Sequence, residues 1–470
     1  VLTAARTSMK PWRRVSASCS DSRRRTSPTT MCADFVPRPD QVERSILVGL
    51  VCAGMPRHTV DEHLDELDRL VNTAGGEVVE RQVQERNAPD PATIVGSGFL
   101  ARLADRCAAE RVDTVVFDED LTGSQVRNLE RALPDDVKVV DRAAVILDIF
   151  AQRARTSEAQ TQVELAQLSY LLPRLTRRWR HLSRQAGGIG TRGVGETQLE
   201  IDRRLISRRI AQLKRKLTAI ERDRRVRRER RSDLPTVALV GYTNAGKSSL
   251  FRRLTHSEVL VEDRLFATLD PRARRVSLGE GVVAVMTDTV GFIRKLPHHL
   301  VAPFRSTLEE AAEADLVLHL VDGAHANCDE HLVVGEEVLD GLGVERDRTL
   351  VVVNKIDLLP DGRPAVMAST PHGVPVSAVT GAGVEELRAA IRRRLLSAPG
   401  VAFLRVPLEE ADMVARAIQL PHQLATRFRE RSVEVAMRVD GRRLTDAGLD
   451  PFRVDEWEYV GSDGGADAGV

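Results

Sequence analysis

The sequence predicts an α/β fold built from several units, and three patterns predict it. Short apolar runs alternate with amphipathic stretches from 46 to about 150, as strands and helices packed in layers require. The alternation resumes near 236, where TVALVGYTNAGKSSL sets Gly241, four residues, then Gly246-Lys247-Ser248 between an apolar run and a helix-like one. Between these regions Leu199, Ile206, Ile210, Leu213, Leu217 and Ile220 fall on one stripe of a long helix, by one seven-residue step and then alternating steps of four and three.

A chain of 470 residues exceeds one ordinary core and implies two to four domains. With 42% hydrophobic and 29% charged residues it is neither disordered nor fibrous overall. The net charge of +1 excludes a uniformly basic nucleic-acid binder, so the placement of charge matters more than its sum. Cys19, Cys32, Cys52, Cys107 and Cys328 are scattered and odd in number. They read as reduced cytosolic thiols, not as a disulfide framework or a zinc site. No apolar run approaches the roughly 20 residues that span a bilayer. The expectation is a cytoplasmic protein without stable membrane insertion, a minor peripheral membrane-associated fraction being left open.

Residues 1–43, rich in Arg, Ser, Thr and Pro, are expected to be a disordered basic extension. An upstream start with the working protein beginning near Met31, a functional basic tail and a transit peptide are the readings of this stretch. Residues 44–150 are expected to form an N-terminal α/β, nucleotide-binding-like domain with a parallel sheet. ILVGLV at 46–51 is a strand, and HLDELDRLVNTAG at 63–75 is a helix ending on glycines. VVERQVQ, a helix near 98–109, TVVFDED, a helix near 122–132 and KVV follow.

Residues 151–232 are expected to form a helical hairpin with a glycine-rich loop. Leu165, Leu168, Leu171 and Leu172 make an apolar stripe, followed by Arg174, Arg177, Arg178, Arg180 and Arg184 and then by GGIGTRGVGETQLE at 187–200. A coiled-coil hairpin with a helix near 158–183 would bury the Leu199–Ile220 stripe; packing on a neighbouring domain is the alternative. The later turns carry Arg224, Arg225, Arg227 and Arg228. Such a cluster can neutralise RNA phosphates without reading sequence, or can be a solvated helix face. Residues 400–459 are expected to be a small C-terminal α/β domain with strands near 402–407 and 433–439, and residues 460–470 a disordered tail.

Residues 235–398 carry the chemistry. Gly241, Tyr242, Thr243, Asn244, Ala245, Gly246, Lys247, Ser248 and Ser249 follow a strand and open a helix, the setting of a phosphate-binding loop (P-loop). Its amides wrap phosphates at a helix N-terminus. Lys247 is expected to reach the β and γ phosphates, and Ser248 to hold Mg²⁺. DTVGF at 288–292 follows the apolar run VVAVM. Asp288 is placed to hold Mg²⁺, and Gly291, after Thr289 and Val290, to offer its amide to the γ phosphate. NKID follows LVVV. Asp357 can accept both N1–H and the 2-amino group of guanine, a donor pair adenine lacks. Asn354 and Lys355 brace the loop and flank the base, and Ser377-Ala378 offers an amide to the 6-oxo group. These motifs predict a G domain of the P-loop type, its mixed sheet flanked by helices, that binds and hydrolyses GTP and holds GDP. Many such domains carry a glutamine where this chain has Phe292. Phenylalanine cannot orient water, so hydrolysis is expected to be slow or to be activated from outside. Asn244 either seats K⁺ near the phosphates or shapes the loop.

With GGIGTRGVGETQLE, several further segments resemble the HflX family of translation-factor-related GTPases: GSG at 96–98, RNLERAL at 127–133, DRAAVILDIFAQRARTSEAQTQVELAQL at 141–168, DRRLI at 202–206, GYTNAGKSSL, FATLDP and DTVGFIRKLP. The likeness covers about 45–398. It implies that Thr268, after Phe266 and Ala267, is the mobile switch threonine that completes the Mg²⁺ and γ-phosphate contacts, making Lys247, Thr268 and Gly291 the catalytic set. It implies binding to the 50S ribosomal subunit and splitting of stalled or hibernating 70S ribosomes in the GTP form, with hydrolysis favouring release, as part of a stress response. The loop with Gly190, Arg192, Gly193 and Gly195 would approach ribosomal RNA. The alternative is a GTP-switched RNA- or ribosome-binding or remodelling factor that does not split. A monomer is expected when free. Two departures stand out: Val194 where the family has Pro, and Phe99 where it has Lys.

Overall fold

The computed structural model describes residues 42–175, 198–229, 234–256, 266, 272–289, 291–292, 311–359, 370, 372–439 and 441–455. The basic extension, the glycine-rich loop with Gly190, Arg192, Gly193 and Gly195, and Ala267, Thr268 and Val290 lie outside them, as do the side chains of Arg224, Arg225, Arg227 and Arg228.

Strand β1 (Arg44–Val51) is followed by α1 (Arg57–Ala74), β2 (Glu77–Glu85), α2 (Ser97–Glu110), β3 (Thr114–Phe117), α3 (Gly123–Ala132), β4 (Lys138–Asp141) and α4 (Arg142–Arg153). The strands lie in the order β2-β1-β3-β4, all parallel. β1 is buried at its centre, which is why it reads as an unbroken apolar run. α1 buries Val60, Leu64, Leu67 and Val71, one helical stripe, and stops at Gly75, whose φ of 100° closes the helix in the left-handed region. α3 opens on a reciprocal pair between Thr122 and Gln125. Phe99 is buried in this core with Leu100, Leu103 and Phe117.

α5 (Ser157–Leu171) ends in a 3-10 turn, Leu172–Arg174, short of the expected 183. Pro173 lies in that turn, and it lacks the N–H that a longer helix needs. α6 (Gln198–Glu229) runs antiparallel to α5. Arg203 reaches Leu175, Arg209 pairs with Glu164 through two bonds of 2.7 and 2.8 Å, and Lys216 reaches Ser157. Leu165, Leu168, Ile206, Leu213 and Leu217 are buried between the two helices. Asp141, fully buried, fixes the root of this arm: it accepts from Tyr170 Oη at 2.8 Å, Arg174 Nη2 at 2.8 Å and the Leu121 amide at 3.1 Å.

The second sheet uses β5 (Thr236–Gly241), β6 (Arg272–Ser277), β7 (Val283–Asp288), β8 (Leu316–Asp322), β9 (Thr349–Asn354) and β10 (Val374–Pro375), with α7 (Lys247–Thr255), α8 (Cys328–Gly341) and α9 (Val384–Leu396) around it. Its order is β10-β9-β8-β5-β7-β6. Only the β6–β7 pair is antiparallel, so the sheet is mixed. The parallel strands bring Gly241, Asp288, Asp322 and Asn354 to one carboxyl edge, where open α/β sheets bind ligands.

The C-terminal sheet, in the order β12-β13-β11-β14, consists of β11 (Val401–Pro407), β12 (Gln423–Phe428), β13 (Ser432–Arg438) and β14 (Arg453–Val454). It is antiparallel and packs with α10 (Ala411–Gln419) and α11 (Gly441–Asp446). β12 and β14 add to the two strands the sequence predicts.

His319 on β8 has no solvent exposure, and neither ring nitrogen has a hydrogen-bond partner among the described residues. Gly335 of α8 makes room for it: a Cβ there would sit 2.1 Å from Nε2. Burial, aided by the charge of Lys247, pulls the imidazole down from 6.5 to about 4. Between these values the unfolded chain takes up a proton that the folded protein refuses. His319 therefore removes stability as pH falls from about 6.5 to about 4. His319→Leu should flatten the fall in melting temperature between pH 7 and pH 5. An unchanged fall would refute the assignment.

Candidate functional site

Gly241 ends β5 with φ 142°, and a Cβ there would lie 2.2 Å from the Leu320 carbonyl oxygen. The phosphate loop can therefore leave the sheet only at a glycine. Asn244 takes φ 63°, a left-handed conformation that asparagine tolerates better than most residues. Gly246, with φ 93°, makes room for the Asn354 side chain: its Cβ would sit 2.2 Å from Nδ2. Lys247 and Ser249 fall in the first turn of α7. Lys247 is nearly buried, and its Nζ donates to the carbonyls of Gly241 at 2.9 Å and Tyr242 at 2.8 Å. Burial pulls its ammonium down from 10.5 to about 8, against the opposing charge of Asp288. A buried cation that, among the described residues, donates only to two carbonyls and is partly offset by the Asp288 charge remains an attractor for a phosphate anion.

Ser248 Oγ donates to Asp288 Oδ2 at 2.8 Å, and Asp288 has no solvent exposure. Two oxygens so held match the hard oxygen ligands that Mg²⁺ takes. Thr289 donates to the Leu239 carbonyl at 2.6 Å, which ties the strand after Asp288 to β5. A Cβ on Gly291 would lie 2.8 Å from Lys247 Nζ and 2.8 Å from Thr243 Cγ2, so any larger residue there would displace the lysine or the threonine. Phe292 exchanges backbone bonds with Gly241 (2.9 Å) and Thr243 (2.7 Å). Its ring is buried among Ala238, Val240, Val317 and Leu339. It serves the core beneath the loop and orients no water.

Asn354 joins the two halves of the site. Its Nδ2 donates to the Ala245 carbonyl at 2.8 Å, and its Oδ1 accepts from the Ala378 amide at 3.0 Å. The amide expected to donate to a 6-oxo group thus gives its hydrogen to Asn354 here, and a bound guanine would share or replace that bond. Ser377 Oγ donates to Asp357 Oδ1 at 2.5 Å. Lys355 turns the chain with φ 66° and pairs with Asp322 at 2.7 Å. The anchoring role of Asp322, the last residue of a buried strand, was not foreseen from sequence.

Two predicted nucleotide residues face elsewhere. Tyr242 stacks on His331, centroids 4.0 Å apart and planes at 7°, and its hydroxyl donates to Glu66 of α1 at 2.9 Å. Glu66 pairs with Arg142 at 2.9 Å, and Arg142 pairs with Asp118 at 3.0 Å. Burial opposes the charge on Arg142, yet Glu66 and Asp118 raise its pKa above the ordinary value. Asn327 donates to Glu62 of the same helix. Phe266 is buried edge-on against Phe150 of α4, centroids 4.7 Å apart, so any contact it makes with a nucleotide comes from its backbone.

Three family profiles match consecutive parts of the chain: GTP-binding GTPase N-terminal over 61–151, GTP-binding GTPase Middle Region over 153–231, and 50S ribosome-binding GTPase over 236–355. The GTPase HflX of Escherichia coli is 44% identical over 393 residues, 82% of this chain and 92% of that protein. The chain belongs to the HflX family of GTPases. The family's Magnetococcus marinus member is 48% identical over 383 residues, 80% of this chain and 87% of that one. A GTP-binding protein from Sulfolobus solfataricus, solved with GDP, is 25% identical and covers 75% of this chain and 99% of its own, with a TM-score of 0.41. As an HflX-family GTPase, the chain binds GTP and GDP and hydrolyses GTP. Among the described residues, no helix is long and apolar enough to cross a membrane.

Proposed function

We propose that this chain is a cytoplasmic, GTP-switched factor that binds the 50S subunit, splits stalled or hibernating 70S ribosomes in its GTP form, and leaves after hydrolysis. The observation that carries the nucleotide half is the Asn354 bridge, which holds the phosphate loop and the base loop together. The ribosomal half is supported by the family description 50S ribosome-binding GTPase, matched over 236–355.

In this reading the units 44–150, 151–232, 235–398 and 400–459 act as one machine. Loop amides and Lys247 bind the β and γ phosphates, Asp357 selects guanine, and the Gly291 amide meets the γ phosphate. Ser248, Thr268 and Asp288 would hold Mg²⁺, which neutralises phosphate charge. The α5–α6 arm would carry Gly190, Arg192, Gly193, Gly195 and the Arg224–Arg228 cluster toward ribosomal RNA, where charge gives affinity without sequence reading. The test is a sucrose gradient of 70S ribosomes with the full chain and a non-hydrolysable GTP analogue. A smaller 70S peak with growth of both subunit peaks is expected. An unchanged 70S peak with the protein co-sedimenting at 50S would sink splitting and favour the non-splitting alternative.

The buried ring of Phe292 leaves the position after Gly291 without a water-orienting group, so hydrolysis by the free protein is slow. Asn244 in the phosphate loop is the candidate seat for K⁺. Hydrolysis should be several-fold faster in potassium than in sodium chloride; equal rates would remove K⁺ from the scheme.

A further inference from the structure

The base loop at 377–381 is held by few contacts. Val379 at its tip is 75% exposed, so its side chain does not anchor the loop. Ser377 N donates to the Ala382 carbonyl, Gly381 N to the Ser377 carbonyl and Thr380 N to Ser377 Oγ; these bonds shape the loop from within. Among the described residues, three side chains from elsewhere fix where it sits. Asp357 accepts from Ser377 Oγ at the start of the loop, and Asn354 holds the Ala378 amide. The third is Arg253, whose Nη2 donates to the Val379 carbonyl near the tip.

Arg253 lies in the last turn of α7, the helix whose first turn carries Lys247 and Ser248. Gly381 gives its guanidinium a flat approach. A Cβ there would lie 3.2 Å from Arg253 Nη2 and 3.3 Å from Cζ, and φ is 94°, a value L side chains rarely adopt. Arg253 Nε is buried with no partner among the described residues. The group is thus held for the carbonyl it meets, not for a network of its own.

We propose that Arg253 is a positioning residue for guanine selection. It sets the base loop from the helix that binds the phosphates, so the Ala378 amide and the Ser377 hydroxyl that holds Asp357 stand at a fixed distance from Lys247. The inference rests on the guanine site proposed above. Asp357 and the Ala378 amide discriminate only if the base arrives at the right height above the loop, and that height is set by the phosphate end. A flexible loop would still bind the diphosphate but would read the base poorly.

The experiment compares GDP with ADP, which shares the sugar and diphosphate and lacks the 6-oxo and N1–H groups. Dissociation constants are measured by calorimetry on the full chain as wild type, Arg253→Ala, Arg253→Lys and Gly381→Ala. Arg253→Ala should weaken GDP about tenfold, the usual scale for a hydrogen bond to a charged group, and leave ADP unchanged. Arg253→Lys should restore most of the GDP affinity, because one ammonium donor can reach the same carbonyl. Gly381→Ala should reproduce the selective loss from the loop side, which keeps the test usable if Arg253→Ala does not fold. Equal losses for GDP and ADP would make Arg253 a general prop for α7 and overturn the proposal, as would unchanged GDP binding. A wild-type protein that does not prefer GDP over ADP would instead overturn the guanine site itself.

Discussion

Asp357→Asn should turn a guanine-binding protein into one that prefers xanthine nucleotides. A carboxylate accepts from both N1–H and the 2-amino group of guanine. An amide in its place accepts from N1–H and donates to the 2-oxo group of xanthine, and it opposes the guanine 2-amino group with its own N–H. The surroundings tolerate the exchange: the Ser377 hydroxyl that donates to Asp357 Oδ1 can donate equally to an amide oxygen, and Lys355, which turns the chain before it, is held by Asp322. The pocket keeps its shape while its reading changes. GDP affinity should fall by about a hundredfold, the scale of two charge-assisted bonds, and xanthosine diphosphate should become the tighter ligand. Titration with both nucleotides decides it, and a variant that still prefers GDP would refute the assignment of Asp357.

Lys247→Ala should abolish tight nucleotide binding, weakening GTP and GDP by at least about a hundredfold, because a buried ammonium facing phosphate in low dielectric is worth several kcal/mol. The depressed pKa adds a signature. Phosphate selects the charged lysine, so above about pH 8 binding must be accompanied by proton uptake. Wild-type affinity should then fall by roughly tenfold per pH unit, a slope that Lys247→Ala lacks. The same depression makes Lys247 costly to the free protein at neutral pH. Between about 8 and the ordinary 10.5 the unfolded chain holds the extra proton, so stability rises with pH through that window. The alanine variant should accordingly melt no lower than wild type without nucleotide. A matching affinity slope in both proteins would refute this account of the site.

Much of this was legible in the sequence, for definable reasons. Strands buried in parallel sheets must be apolar throughout, so β1, β5 and β9 announce themselves. The glycines at 241 and 246 meet backbone or side chain so closely that few other residues fit, which is why their spacing can be read as a motif. Features built from polar pairs distant in sequence left no such trace. Tyr242 sits inside the motif, and nothing local reveals that its hydroxyl is spent on Glu66, 176 positions away. Arg142 reads as one more basic residue, yet it is 2% exposed and serves two carboxylates. β12 escaped notice because its sequence QLATRF mixes Gln423, Thr426 and Arg427 with the apolar positions and a register shift between Gln423 and Ala425 breaks the alternation. Phe99, a departure from the family pattern, is neutral to the nucleotide site because it lies in the N-terminal core.

The bond from Tyr242 to Glu66 makes the nucleotide loop and helix α1 parties to one equilibrium. The Tyr242 carbonyl receives Lys247 Nζ while its hydroxyl holds α1, so one residue is fastened at both ends. Thermodynamic linkage then runs in both directions. A partner that pulls α1 away, and favours one nucleotide in doing so, must itself be bound more tightly by the same factor when that nucleotide is present. A change in nucleotide affinity produced at the N-terminal sheet and a nucleotide-dependent grip on the partner are therefore the same free energy, measured from opposite sides.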